Sequence, residues 1–408
     1  MSPRETLLAL YHAGLDAVRG GECVGRWLQR HPCRDATHAI AIGKAAAAMA
    51  QGAVEACDAA IERALVITRT GYRDPELDND PRVEQLESAH PLPDARSLAA
   101  GERLIRFLET TPEHAPLLVM ISGGSSSLVE RLPDGISPER LAELNRRLLA
   151  SGCDIHEINR IRKAVSCIKG GRLARWVAGR PTTVLLISDV PGDDPAVIGS
   201  GLLIPDGAPS GSETLPPTLR DLCPTAEPAP KPSDPMFQAI QWQLIATNRQ
   251  ARSAAANAAK TFGLPVTNHK EFITGDAAAA GRRIAQELVY LSPGVHVWGG
   301  EPTVRLPENP GRGGRMQTLA LAAAMALAGR DDIWLLAAGT DGADGCSEDA
   351  GALIDGQTVS RGSATGGNVN LALLDADSGR FLAASGDLIR TGATGTNVMD
   401  LIIALRMA

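Results

Sequence analysis

The stretch Leu117-Leu-Val-Met-Ile-Ser-Gly-Gly-Ser-Ser-Ser-Leu128 decides how the chain is read. Leu117 to Ile121 is a short, continuous apolar run. That pattern predicts a strand covered on both faces, as in a parallel sheet flanked by helices. The run breaks into Ser122-Gly123-Gly124-Ser125-Ser126-Ser127, and helical character resumes at Leu128. Two glycines let backbone come close to a ligand and adopt positive φ at little cost. Successive N–H groups in such a turn form a concavity for an anion, and the serine hydroxyls add donors. Two readings follow: a loop that grips phosphate or carboxylate, or an ordinary strand-to-helix turn with serine N-caps.

The same strand, glycine-rich turn and helix recur along the chain. Ala39-Ile-Ala-Ile runs into Gly43-Lys44 and then an alanine-rich helix. This is not a Walker A loop, because the upstream Gly and the Ser/Thr after Lys are missing. Lys44 nevertheless falls at the end of the sheet where α/β folds bind ligands. Ala64 to Thr68 and Thr182 to Ile187 read as further strands, and Ser88 to Asp94 as a rigid turn holding His90. Glu5 to Leu28 shows helical spacing with Gly20-Gly21 as a stop, and Leu141 to Gly152 is also helical. Later strands are expected at Leu244, Val295 to Trp298, Asp332 to Ala338 and Leu401 to Leu405. The pattern predicts α/β architecture with largely parallel sheets.

At 408 residues, two domains are expected. Nine of the 27 prolines fall between Pro205 and Pro235, which excludes a helix or central strand there. That excursion sets the expected boundary, with domains over 1–236 and 237–408. Apolar content of 44% and charged content of 21% place the chain among globular proteins. With a net charge of −7 and no basic stripe interleaved with aromatics, a nucleic-acid partner is not expected. No apolar run approaches the ~18 residues of a membrane span, and the N-terminus lacks the apolar core of a signal peptide. The seven cysteines are scattered and include no Cys-x-x-Cys pair. Reduced thiols and a cytoplasmic location are therefore the expectation.

The turns carry the chemistry. Asp189, Asp193 and Asp194 follow a strand on a turn bounded by Pro191 and Pro195, which suits hydrated Mg²⁺. The alternative is a set of turn and N-cap aspartates. Arg160, Arg162, Lys163, Lys169 and Arg172 form a basic segment, and its Lys169-Gly-Gly-Arg172 break predicts that some of them face a site. Gly311-Arg-Gly-Gly-Arg315 offers guanidinium forks for carboxylate or phosphate. Glu301, Asp341 and Asp344 are further carboxylates. Thr394-Gly395-Thr396-Asn397 supplies neutral donors at a turn.

Taken together, Asn159 to Leu173, Ile187 to Asp194, Gly311 to Arg315, Gly339-Thr340-Asp341-Gly342 and Thr394 to Asn397 resemble the class II glycerate 2-kinases, whose C-terminal part is the MOFRL domain. The likeness runs in order over nearly the whole chain. It implies a Rossmann-like three-layer α/β/α N-terminal domain, a smaller mixed α/β C-terminal domain, and an active site in the cleft between them. It implies transfer of the ATP γ-phosphoryl group to the C2 hydroxyl of D-glycerate with Mg²⁺. On that reading Lys44, Arg315 and Asp189 are catalytic and Asp193 and Asp194 hold metal. Ser122 to Ser126, Thr340, Asp341 and Thr394 to Asn397 bind nucleotide. A homodimer is compatible with the sequence but not required by it. Two departures stand out: Met316-Gln317-Thr318 where the family usually has Asn then Gln-Glu, and Met399 where it usually has Asn. They predict an altered acceptor or reduced activity. Members of the family have also been labelled hydroxypyruvate reductases, but no Gly-x-Gly-x-x-Gly follows any expected strand. A non-catalytic sugar-acid binding protein is the third reading.

Overall fold

A computed structural model gives the coordinates and describes all residues except 134–135, 138, 141–142, 145, 148–154, 206, 208–225 and 346. Most of the helix expected over 141–152, and much of the proline-rich excursion, lie outside the described residues. The strands are β1 (Thr37–Ile42), β2 (Ile61–Arg69), β3 (Val83–Ser88), β4 (Leu117–Ile121), β5 (Thr182–Ile187), β6 (Ile240–Ala246), β7 (Val266–Ile273), β8 (Gly294–Gly300), β9 (Ile333–Gly339), β10 (Gly351–Ile354), β11 (Leu388–Ile389) and β12 (Asp400–Arg406). The helices are α1 (Pro3–Asp16), α2 (Gly20–Arg30), α3 (Ala46–Cys57), α4 (Ala95–Thr110), α5 (Ser125–Leu128), α6 (Ile155–Ala164), α7 (Asn248–Thr261), α8 (Ala277–Leu288), α9 (Arg315–Ala326), α10 (Thr358–Ala364), α11 (Val369–Leu374) and α12 (Ser378–Ser385), besides short helical turns. Among the described residues, no helix is long and apolar enough to cross a membrane.

The chain forms two compact units, Gly20–Ile245 and Met1–Arg19 with Ala246–Ala408. This differs from the expected 1–236 and 237–408 at both ends. Helix α1 buries Leu7, Leu10, Tyr11 and Leu15 in the second unit, beside α7 and on strands β9 and β12. Gly20-Gly21 does not simply stop a helix; it opens α2, the first helix of the other unit. Strand β6, downstream of the prolines, completes the first sheet rather than starting the second.

In the Gly20–Ile245 unit the strand order is β3-β2-β1-β4-β5-β6. The pairings of β3 with β2, β2 with β1, β1 with β4 and β4 with β5 are all parallel. All five residues of β4 are buried, as a continuous apolar run in a doubly covered sheet requires. Ile40, Ile42, Val119, Ile121 and Val184 share one core with Leu104, Phe107 and Leu108 of α4. Side chains alternate along a strand, so Ala39 and Ala41 turn to the opposite face, where α3 crosses β1 and β2. The result is the expected three-layer sandwich.

The second unit has strand order β11-β10-β9-β12-β8-β7. Here the largely parallel expectation fails: only β7 and β8 are parallel among its described pairings. The last strand of the chain, β12, enters between β8 and β9 and runs antiparallel to both. Helices α8, α9 and α12 cover one face of this sheet, and α1 with α7 covers the other.

The expectation of reduced thiols also fails in one place. Cys33 and Cys57 form a disulfide with Cα atoms 5.7 Å apart. Helices α2 and α3 pack closely, and that packing brings together two thiols 24 residues apart. Cys23 and Cys167 remain thiols.

Candidate functional site

In the Gly20–Ile245 unit, two turns at the C-terminal ends of neighbouring strands are knitted together. Ser122 N–H donates to the Ile42 carbonyl at 3.0 Å, and Lys44 N–H donates to the Gly123 carbonyl at 2.9 Å. The Ser122 hydroxyl accepts from Ala45 N–H at 3.0 Å, just ahead of α3. Ser122 therefore ties its turn to the start of α3, whereas α5 has Gly124 at its N-cap and no serine side chain capping it. Gly124 lies at φ 86°. A Cβ there would meet the His90 ring at 3.0 Å and Lys44 Cγ at 3.2 Å. Lys44, the serine–glycine turn and His90 thus occupy one place, with Lys44 half-buried. The sequence reading treats His90 only as part of a turn; its approach to Gly124 spans a sheet in which β2 and β1 lie between β3 and β4, which local sequence does not reveal.

Three residues of the basic segment are engaged by the chain itself. Lys169 is buried and ion-paired with buried Glu130, whose other oxygen accepts from Ser166 Oγ at 2.5 Å. Arg172 is fully buried and donates to the carbonyls of Glu227, Lys163 and Lys169 at 2.7, 3.0 and 2.9 Å. Lys163 Nζ donates to the Ala196 carbonyl at 3.0 Å. These charges fasten irregular chain by satisfying buried carbonyls. Asp194 Oδ1 accepts from Ala196 N–H at 2.9 Å, the turn role considered above, while Asp193 lies at φ 58° beside it. No group of three or more His, Cys, Asp or Glu is arranged for a metal ion among the described residues. Mg²⁺ bound through one or two carboxylates, waters and substrate phosphates requires no such cage, so the turn from Asp189 to Asp194 fits that donor set.

The second unit gathers the other candidates. Arg315 opens α9, and its Nε and Nη2 meet Asp400 Oδ2 and Oδ1 at 2.7 and 3.1 Å. Nη1 lies 3.5 Å from Glu301 Oε1. Burial works against the Arg315 charge, but Asp400 and Glu301 outweigh it and hold the guanidinium firmly protonated. Asp344 caps the same helix, accepting from Met316 and Gln317 N–H at 3.1 and 2.8 Å. Burial pushes its carboxyl up to about 7, with Asp400 adding to the rise and those two N–H groups opposing it. The glycine–arginine run is packed rather than loose: a Cβ at Gly314 would lie 2.4 Å from the Asp344 carboxyl, and Arg312 pairs with Asp349 at 2.6 Å.

The late turn is tied to the end of β9. Thr340 Oγ1 donates to the Met399 carbonyl at 2.6 Å and accepts from Val398 N–H at 2.8 Å. Thr394 Oγ1 donates to the Thr340 carbonyl at 2.5 Å. Thr340, Thr394, Thr396 and Asn397 are all buried, and Gly395 lies at φ 72°. Asp341 Oδ1 accepts from Ala343 N–H at 3.1 Å. Tyr11 of α1 donates to the Gly339 carbonyl at 2.6 Å. Burial, then Asp341 and Asp400, raise its phenol well above the ordinary value. Sequence reasoning missed Tyr11 and Asp400, because each meets its partner only through sheet packing. Met399 stands at φ 65°, a left-handed conformation that Asn adopts more readily than Met. Met316 and Thr318 lie buried on α9, where Thr318 Oγ1 and Ser378 Oγ are 3.2 Å apart.

Comparison with known families fits these features. One family model, described as a domain of unknown function (DUF4147), matches residues 6–215, and the MOFRL family model matches residues 294–400. The chain belongs to the MOFRL family of glycerate kinases. A Thermotoga maritima relative named D-glycerate 2-kinase is 35% identical, covering 90% of this chain and 89% of its own. An Agrobacterium vitis relative named putative hydroxypyruvate reductase is 34% identical, covering 98% of this chain and 94% of its own. A crystal structure of glycerate kinase from Thermotoga maritima superposes with a TM-score of 0.84 at 32% identity, covering 99% of each chain. Family membership accounts for both sheets, since the structural match spans both units.

Proposed function

We propose that the chain transfers the γ-phosphoryl group of ATP to the C2 hydroxyl of D-glycerate, giving 2-phosphoglycerate. The observation that carries this reading is 35% identity over 90% of the chain to the Thermotoga maritima D-glycerate 2-kinase. Phosphoryl transfer asks a protein mainly for alignment and charge neutralisation, and the side chains of the two turn clusters offer both. Lys44 neutralises phosphate oxygens beside the N–H groups and hydroxyls of Ser122 to Ser126. Arg315, oriented by Asp400 and Glu301, presents the rest of its guanidinium to an anionic oxygen. Asp189 accepts the proton of the glycerate hydroxyl as it attacks. Thr340, Asp341 and the Thr394 to Asn397 turn receive the nucleotide. Asp193 and Asp194 would hold Mg²⁺, which supplies charge neutralisation at the phosphates. A cytoplasmic location goes with this reading, since ATP is supplied there.

The test is direct. Purified protein is mixed with D-glycerate, ATP and Mg²⁺, ADP is followed, and the product is identified by phosphorus NMR. A 2-phosphoglycerate signal supports the reading. A 3-phosphoglycerate signal overturns the C2 assignment, and no ADP above the glycerate-free control overturns the kinase. Hydroxypyruvate with NADH runs in parallel, because of the reductase name borne by the Agrobacterium vitis relative. The turn after β1 reads Gly43-Lys44-Ala45-Ala46, not a dinucleotide fingerprint, so no NADH oxidation is expected.

A further inference from the structure

We propose that Ser200 is a positioning residue for the Ser126 hydroxyl, and through it for a phosphate oxygen of the nucleotide. The inference rests on the phosphoryl-transfer reading above. Gly199, Ser200 and Gly201 lie at φ 58°, 60° and 64°. Three successive left-handed residues are a conformation that glycine enters freely and that any L side chain resists. The two glycines are required by contacts: a Cβ at Gly199 would come within 2.3 Å of Ser125 Oγ, and one at Gly201 within 2.6 Å of the Ile204 carbonyl. The middle position carries a serine in spite of its backbone.

Its backbone is held without help from the hydroxyl. The Ser200 carbonyl accepts from Gly170 N–H at 3.0 Å, and the Gly201 carbonyl from Gly171 N–H at 2.6 Å. The Ser200 hydroxyl meets Ser126 Oγ at 2.7 Å. Ser200 is 4% exposed, while Ser126 is half-buried and stands two residues from Gly124, where His90 and Lys44 converge. An element that prefers glycine but keeps a hydroxyl aimed at the serine–glycine turn serves that turn.

Proton bookkeeping fixes the direction. A phosphate oxygen only accepts, so Ser126 must donate to it. The Ser200 hydroxyl then donates to Ser126, and a hydroxyl that accepts one bond is a better donor in the next. Ser200 acts on the anion through Ser126.

The experiment compares wild type with Ser200→Gly, Ser200→Ala, Ser126→Ala and the Ser126→Ala/Ser200→Gly pair. It measures ADP release with D-glycerate and ATP, Tm, and ATP affinity by calorimetry. Ser200→Gly relieves the left-handed strain, so its Tm is expected to equal or exceed that of wild type. Its KM for ATP is expected to rise roughly 3- to 10-fold, the worth of one hydrogen bond. Its kcat stays near wild type, the signature of lost uniform binding. Ser200→Ala shows the same KM, and in the Ser126→Ala background Ser200→Gly adds nothing. Unchanged KM in Ser200→Gly, or the same added loss without Ser126, overturns the proposal. A wild type that binds ATP but does not turn over glycerate overturns the kinase reading alone, and the ratio of ATP affinities then decides the serine pair. A wild type that binds no ATP overturns both.

Discussion

Asp400, at the first position of β12, grips Arg315 through both carboxylate oxygens at 2.7 and 3.1 Å. Asp400 is 1% exposed, whereas the Arg315 side chain is 35% exposed. The pair therefore joins a carboxylate that water cannot reach to a cation that it can. Asp400→Ala leaves a guanidinium that Glu301 and water can still stabilise, so its effect falls below that of a fully buried pair. A loss of about 1.5–3 kcal/mol in chemical unfolding is expected, the range for hydrogen bonds to charged groups. Arg315→Ala instead takes the cation away from a buried carboxylate and is expected to destabilise more. Equal effects of the two substitutions would remove the asymmetry.

Arg315→Ala is also expected to lower kcat/KM for glycerate phosphorylation by roughly 10² or more, since a phosphate-neutralising cation commonly contributes at least that much. Steady-state kinetics at saturating Mg²⁺ checks this. Near-normal kinetics would assign Arg315 to the α9–β12 junction alone.

Asp344 gives a pH dependence whose sign can be worked out. Its carboxyl is raised to about 7 in the folded chain, chiefly by burial. In the unfolded chain the carboxyl ionises near the ordinary aspartate value of 3.8. Below that value the group is protonated in both states and imposes no penalty. As pH climbs from about 4 towards 7, the unfolded chain loses its proton first, so the stability contribution declines through this window and levels off above it. Asp344→Asn adds a constant offset, because Met316 and Gln317 N–H bond different carboxylate oxygens and an amide keeps only one of them as an acceptor. What it should remove is the slope between pH 4 and 7. Parallel Tm–pH curves for wild type and variant would show that Asp344 does not titrate there.

The divide between what the sequence shows and what it hides runs along contact distance. Strand β4 was readable because a continuous apolar run ending in glycine reports burial on both faces locally. The turns after β1, β4, β5 and β9 were readable for the same reason, and the first two do meet. The partners that specify the site are not local: Tyr11 with Gly339, Arg315 with Asp400 and Ser126 with Ser200 are 328, 85 and 74 residues apart. The domain boundary was misplaced on the same account. Prolines mark irregular chain wherever it occurs, whereas the units are set by which sheet buries α1 and β6. Lys169 and Arg172 were not readable locally, because charge suggests solvent or ligand, while theirs goes to Glu130 and backbone carbonyls.

The Cys33–Cys57 disulfide closes a loop of 24 residues in sequence separation. On the chain-entropy account, a loop of that length stabilises by about 3 kcal/mol. Replacing both cysteines by serine is expected to lower the unfolding free energy by that order, and dithiothreitol should reproduce the shift in wild type but not in the variant. A wild-type Tm that does not respond to reductant would show that the bond contributes nothing.

Two glycines of the same helix pair are expected to respond to alanine in opposite directions. Gly52 of α3 faces Gly21 of α2, and a Cβ at Gly52 would lie 2.2 Å from the Gly21 carbonyl oxygen. That oxygen is backbone and cannot swing aside, so Gly52→Ala must push α2 and α3 apart. Overpacking of this kind commonly costs 1–3 kcal/mol. Gly25 lies inside α2, and a Cβ there meets nothing within 4 Å. Gly25→Ala gains helix propensity and reduces the freedom of the unfolded chain, so it is expected to stabilise by roughly 0.5–1 kcal/mol. Denaturant titration of both variants measures the two signs together. If Gly52→Ala proved neutral, the close crossing of α2 and α3, and with it the geometry that brings Cys33 to Cys57, would have to be revised.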